Sequence, residues 1–308
     1  MPIIKQNEVS TTPPLPRAIM SLGTWNAGKS FLSATASKKY PALPWVPFTP
    51  DRPRPADFPL VELDDMFYHC WEPDCFAGFP DGGLAIPPHW DLAGTTGGEL
   101  DGAVDQVLEE TAARVKSGRT NVVVVDTLSA FNSKNHARSM FGVTQASNDN
   151  DDTKTTETNL QKVWGSVLSR HIKYLNGLLS CAPPLIIFNV HPKVNDPAFR
   201  GSKGDSKGQA LANAQQKAKG MGDVASIAPE ITGQAYGQYL RNCSLVMWVD
   251  SKRSSVPDGK GGFKQVTERW INPHKKDDVM SRSKYACLAE KEPADLRVIF
   301  DKIRGVSK

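Results

Sequence analysis

The chain has no apolar run near the roughly 20 residues that a bilayer-spanning helix needs, and it opens without a basic-then-apolar export leader. The expectation is a soluble protein of the cytoplasm, the host's cytoplasm if the chain is phage-encoded, with no membrane partner. Cysteine is scarce. The five residues, Cys70, Cys75, Cys181, Cys243 and Cys287, are odd in number and widely spaced, which excludes a disulfide framework and suits a reducing compartment. His69, Cys70, Cys75 and His89 match no usual zinc spacing, so these cysteines read as buried thiols. Neither sign of charge dominates: charged residues are 23% of the chain and hydrophobic ones 39%. That balance excludes disorder, collagen and coiled coil as descriptions of the whole. A chain of 308 residues can bury a large core without staples.

Proline is plentiful, and its placement is informative. Pro13, Pro14 and Pro16 mark residues 1–16 as a tail. Pro41, Pro44, Pro47, Pro50, Pro53 and Pro55 make 41–57 an extended insert, since each removes a backbone donor and fixes φ. Charge is also uneven along the chain. Residues 1–199 hold 17 basic and 21 acidic side chains, a net of −4; residues 200–308 hold 20 and 12, a net of +8. A basic final third points to a polyanionic partner.

Hydrophobic spacing predicts strands at Arg17–Leu22, within Phe58–Trp71, at Asn121–Asp126, at Pro184–Val190 and at Ser244–Val249. It predicts helices over 28–37, over Glu99–Lys116 and from about Leu160 to Leu179. In the last of these Val163, Trp164, Val167, Leu168, Ile172 and Leu175 fall on one face. A final helix starts near Pro293 with Leu296, Ile299 and Ile303 inward. Residues 132–157 and 192–225 read as polar mobile loops, and 251–272 as a hairpin turning near Pro257-Asp258-Gly259. Apolar strands alternating with helices predict an α/β fold with a mostly parallel central sheet flanked by helices, plus a C-terminal β-hairpin.

One motif is specific. Gly23-Thr24-Trp25-Asn26-Ala27-Gly28-Lys29-Ser30 fits the phosphate-loop pattern G-x-x-x-x-G-K-[ST] at every fixed position, after a strand and opening a helix. Glycines let the backbone wrap phosphate oxygens, and N–H groups supply positive potential. Lys29 would reach the β- and γ-phosphates, and Ser30 would ligate Mg²⁺. Val122-Val123-Val124-Val125-Asp126 supplies the acidic strand end that holds Mg²⁺ in such sites. Thr127 follows where many such enzymes carry glutamate, so a base for the attacking water must come from another strand. Glu72 is the first candidate and Glu62 the second.

A phosphate loop, an aspartate followed by Thr127 and a glutamate between them resemble the RecA-type core. Leu185–His191 resembles the strand that ends in a γ-phosphate sensor, with His191 in the sensor's place. Ile231-Thr232-Gly233 and Ser244–Val249 resemble the next core strand and its approach. Arg282-Ser283-Lys284-Tyr285 and the final helix resemble the tail of phage-type AAA-class nucleotide-binding proteins, including the Sak-type single-strand annealing ATPases. The resemblance covers about 17–304 as a single RecA-like domain, with 305–308 a tail. It implies an ATP hydrolase using ATP and Mg²⁺ in DNA recombination or annealing. It implies a homo-oligomeric ring or filament, single-stranded DNA as partner and, alongside it, a single-strand-binding protein. Arg282 and Lys284 would complete a neighbour's site. The region after the sensor strand, where this class binds DNA, carries Lys193, Arg200, Lys203, Lys207, Lys217 and Lys219; flexible cations of this kind track a phosphate backbone. The alternatives are a P-loop kinase for a small acceptor and a slowly hydrolysing assembly or loader protein.

Overall fold

A computed structural model describes residues 15–24, 27–37, 65–73, 75, 87–147, 156–195, 226–231, 233–257, 262–274 and 282–305. Its strands are β1 (Ala18–Leu22), β2 (Met66–Cys70), β3 (His89–Asp91), β4 (Val122–Asp126), β5 (Leu185–Val190), β6 (Pro192–Asn195), β7 (Ser226–Pro229), β8 (Leu245–Pro257), β9 (Phe263–Asn272), β10 (Arg282–Ser283) and β11 (Glu292–Pro293). Its helices are α1 (Lys29–Ala34), α2 (Leu100–Lys116), α3 (Leu128–Ser147), α4 (Thr156–Cys181), α5 (Gly233–Asn242) and α6 (Leu296–Arg304).

The main sheet runs β11-β9-β8-β1-β5-β4-β2-β3, with β10 also on β8. From β8 to β3 every neighbouring pair is parallel. β9, β10 and β11 add antiparallel pairs at one end. This is the expected α/β class with a mostly parallel sheet and a C-terminal hairpin. A parallel sheet must be covered on both faces, and here it is. Ile19, Tyr68, Val124, Ile187 and Met247 face the layer holding Leu32 of α1 and Leu296, Ile299 and Ile303 of α6. Their alternates Met20, Phe67, Val123, Phe188 and Val246 face Val104, Phe131, Tyr174 and Tyr239 of α2, α3, α4 and α5. Each such side chain contributes about 1.5–3 kcal/mol by leaving water.

Several expectations are corrected. The supposed loop 132–157 is helical as far as Ser147, and α4 begins at Thr156. α3 hides from a hydropathy reading because its inward face docks through polar bonds. Asn135 Nδ2 donates to Val167 O at 2.9 Å, and Lys134 Nζ donates to Ala93 O at 2.6 Å. Arg170 Nη1 donates to Ser139 Oγ at 2.9 Å, and its Nε to Asp101 Oδ1 at 2.8 Å. Trp164 is not inward. It is 48% exposed and lies edge-on to His136, their ring centres 4.7 Å apart.

Loop 192–225 is bounded by two paired strands, β6 and β7; residues 196–225 lie outside the described ones. The hairpin is longer than expected, because the Ser244–Val249 strand and the first hairpin arm are one continuous β8. α6 starts at Leu296, not near Pro293, because Asp295 caps it by accepting from Arg297 N at 2.9 Å. α5 and β3 have no counterpart in the sequence reading. The insert 41–57 and the first fourteen residues of the tail lie outside the described residues. Leu15 packs against the core, and Pro16 is buried.

Candidate functional site

Strand register builds the site. Cys70 of β2 pairs with Asp126 of β4, Asp126 with Asn189 of β5, and Asn189 with Ser21 of β1. Two residues beyond this row, the carboxyl ends of these parallel strands deliver Glu72, His191 and Gly23. Loops at such strand ends are where open α/β sheets bind ligands.

The loop itself is shaped by glycine at two positions. A Cβ on Gly23 would stand 2.9 Å from Val249 O, and Gly28 has φ +96°, a left-handed conformation that favours glycine. Lys29 is buried, and its Nζ donates to Gly23 O at 2.9 Å and Thr24 O at 3.0 Å. Burial lowers its pKa from the usual 10.5, against the raising effect of the Asp126 and Glu72 charges. Trp25 and Asn26 lie outside the described residues; Ala27 is buried.

Ser30 Oγ donates to Asp126 Oδ2 at 2.5 Å. Asp126 is buried, which pushes its pKa up, while the Ser30 hydroxyl and the Lys29 charge favour the carboxylate. Asn189 accepts from Ser21 Oγ at 2.5 Å and Ser33 Oγ at 3.0 Å, tying β1 and α1 to β5. The Asn189 amide also lies close enough to favour the Asp126 anion. Ser30 and Asp126 present two hard oxygen ligands side by side, a donor set that suits Mg²⁺.

Glu72 Oε1 accepts from His191 Nε2 at 2.8 Å and also from the Thr127 hydroxyl. Burial raises its pKa, but these hydrogen bonds and the Lys29 charge outweigh it and hold the carboxyl below its usual 4.5. His191 Nδ1 lies 3.3 Å from Lys29 Nζ. An ammonium only donates and a carboxylate only accepts. A neutral His191 protonated at Nε2 therefore satisfies both neighbours, giving a directed chain from Lys29 through His191 to Glu72. Ser129 Oγ accepts from His191 N at 2.9 Å and fixes the backbone there.

The structure thus brings together Gly23, Thr24, Ala27, Gly28, Lys29, Ser30, Glu72, Asp126 and His191. Thr127, Ser129 and Asn189 were missed as site residues. Their signal was their position directly at or after the ends of β4 and β5. Glu62 lies outside the described residues. Arg282 and Lys284 are not part of this cluster. Arg282 pairs with Val246 of β8, and Lys284 N donates to Ser244 O. Lys284 lies at the opposite end of the strands, where Ser244 N donates to Ala18 O, and Arg282 is level with Met20, midway along β1. Lys284 falls just after β10. Lys193 is exposed on β6. Arg200, Lys203, Lys207, Lys217 and Lys219 lie outside the described residues. The two ring nitrogens of His69 bond Tyr174 OH at 2.6 Å and Thr111 Oγ1 at 2.9 Å.

No protein-family model matches the chain, and no curated protein matches it. Similar solved structures include a prototypical ATPase from the type III secretion system of pathogenic bacteria. It has 12% identity and a TM-score of 0.37, over 75% of this chain and 50% of that one. The chain therefore spans about half that ATPase's length. Another is a KaiC-like protein from the hyperthermophilic archaeon Pyrococcus horikoshii OT3. It has 11% identity and a TM-score of 0.34, over 90% of this chain and 84% of that one.

Proposed function

We propose that this chain is a Mg²⁺-dependent ATPase with a RecA-like core. The observation that carries the reading is the meeting of Lys29, Ser30, Asp126, Glu72 and His191 at the carboxyl edge of one parallel sheet. Residues 23–30 cradle the phosphates, and Lys29 offsets charge on the β- and γ-phosphates. Ser30 and Asp126 hold Mg²⁺, which when bound neutralises phosphate charge. Glu72, held anionic, accepts the proton of the attacking water. His191 joins Glu72 to Lys29, so the base and the phosphate-binding cation are coupled.

The reading extends to DNA. β6 leaves the site directly after His191 and carries the exposed Lys193, and the sequence that follows holds Arg200, Lys203, Lys207, Lys217 and Lys219, cations that would track a phosphate backbone. Arg282 or Lys284, remote from this chain's own site, act on a neighbouring copy in a ring or filament. The test is steady-state ATP hydrolysis with Mg²⁺, with and without single-stranded DNA, with Lys29→Ala as control. Turnover that DNA stimulates, that salt weakens and that Lys29→Ala abolishes supports the whole reading. Turnover indifferent to DNA removes the DNA role, and no turnover removes the ATPase.

A further inference from the structure

β1 divides the site into two flanks. β5, β4 and β2 lie on one side, β8 and β9 on the other. His191, Asp126 and Glu72 all come from the first flank. Arg269 comes from the second. It sits on β9 opposite Ser251 of β8 and reaches across to the phosphate loop. Its Nε and Cδ lie 2.6 and 2.7 Å from where a Cβ on Gly28 would stand. Its guanidinium carbon is 5.5 Å from the centre of the Phe31 ring. The missing Cβ at Gly28 is thus space that Arg269 occupies, in addition to the freedom its φ demands.

This placement matters for a nucleotide held as proposed above, on which the inference rests. With the γ-phosphate at Ser30, Glu72 and His191, a nucleotide that runs along the loop away from these residues brings its nucleoside to the other flank. Arg269 is a cation already seated there. A guanidinium combines N–H donors for ribose and base acceptors with a flat face on which a base stacks. We propose that Arg269 is a nucleotide-binding residue that grips the nucleoside of the ligand, its base and ribose, rather than a phosphate.

The experiment is calorimetric titration of the full chain, with Mg²⁺, using ATP, ADP and inorganic tripolyphosphate. Arg269→Ala weakens ATP and ADP by the same factor, about tenfold or more, the size of one charge-assisted hydrogen bond. Tripolyphosphate, which lacks the nucleoside, binds as before. Arg269→Lys, which keeps the alkyl stem over Gly28, guards against misfolding; it also loses nucleotide affinity and spares tripolyphosphate. A parallel loss for tripolyphosphate would mean that Arg269 only braces the loop and would overturn the proposal. So would a loss confined to ATP, or unchanged nucleotide affinity. Wild-type protein that binds neither ATP nor tripolyphosphate overturns the phosphate-loop reading and Arg269's role with it. Wild-type binding with unaffected variants overturns Arg269 alone.

Discussion

Glu72→Gln separates binding from chemistry at this site. The carboxyl is held anionic by donors from His191 and Thr127 and by the Lys29 charge. Glutamine keeps the shape and an acceptor oxygen for both donors, so the local structure survives, but it cannot take a proton from water. A positioned general base contributes roughly 10²–10⁴-fold, which at 1.36 kcal/mol per decade is about 2.7–5.4 kcal/mol of barrier. Single-turnover hydrolysis at saturating ATP should therefore slow by two to four orders of magnitude. ATP affinity should hold or rise, because one anion near the phosphates has gone. Fluorescent-nucleotide titration measures that second quantity. Turnover within about tenfold of wild type, in a protein whose Lys29→Ala variant is inactive, would refute Glu72 as the base. A collapse of ATP affinity would instead make Glu72 part of the binding framework.

Four further outcomes follow from the buried charges and the backbone geometry. Asp126→Asn should abolish the strengthening of nucleotide binding by Mg²⁺ without lowering the apo melting temperature, because it removes a buried charge; a titration with and without Mg²⁺ and a thermal melt check both. The Asp126 pKa is raised in the fold, so wild-type stability should rise relative to Asp126→Asn as pH falls through that raised value towards 3.8. His69 and His171 are buried and neutral, each with its pKa pushed down to about 3 by burial. Their stabilisation is complete above the unfolded value near 6.5 and is lost as pH falls below it. Between pH 6.5 and 5 each costs about 2 kcal/mol, and an unchanged urea midpoint over that range would refute the assignment. Gly28→Ala forces a left-handed alanine costing about 1–2 kcal/mol and displaces Arg269, so melting should fall by a few degrees and nucleotide binding should weaken.

Much of the fold was legible because parallel strands buried on both faces are continuous apolar runs. Val122–Val125 and Leu185–Phe188 carry that signal on their own, and the strand before Gly23 and the helix after it bracket the loop. α3 was not legible. Asn135, Ser139 and Lys134 look like solvated residues until their partners on α4 and the 93–95 turn are in place. α5 was missed for a related reason: only the sheet beneath Ala235 and Tyr239 shows that those positions are inward.

The sequence by itself determined the phosphate loop, since its glycines, lysine and serine act locally through backbone conformation and fixed spacing. It also determined that a central acidic strand end would follow at Asp126. Only the tertiary structure brought Glu72 beside the loop, with Thr127 and His191 holding it, and laid Arg269 over Gly28. Those residues are separated by 55 to 241 positions from their partners in the chain. What joins them is the lateral order and register of the strands, and register is a property of the assembled sheet.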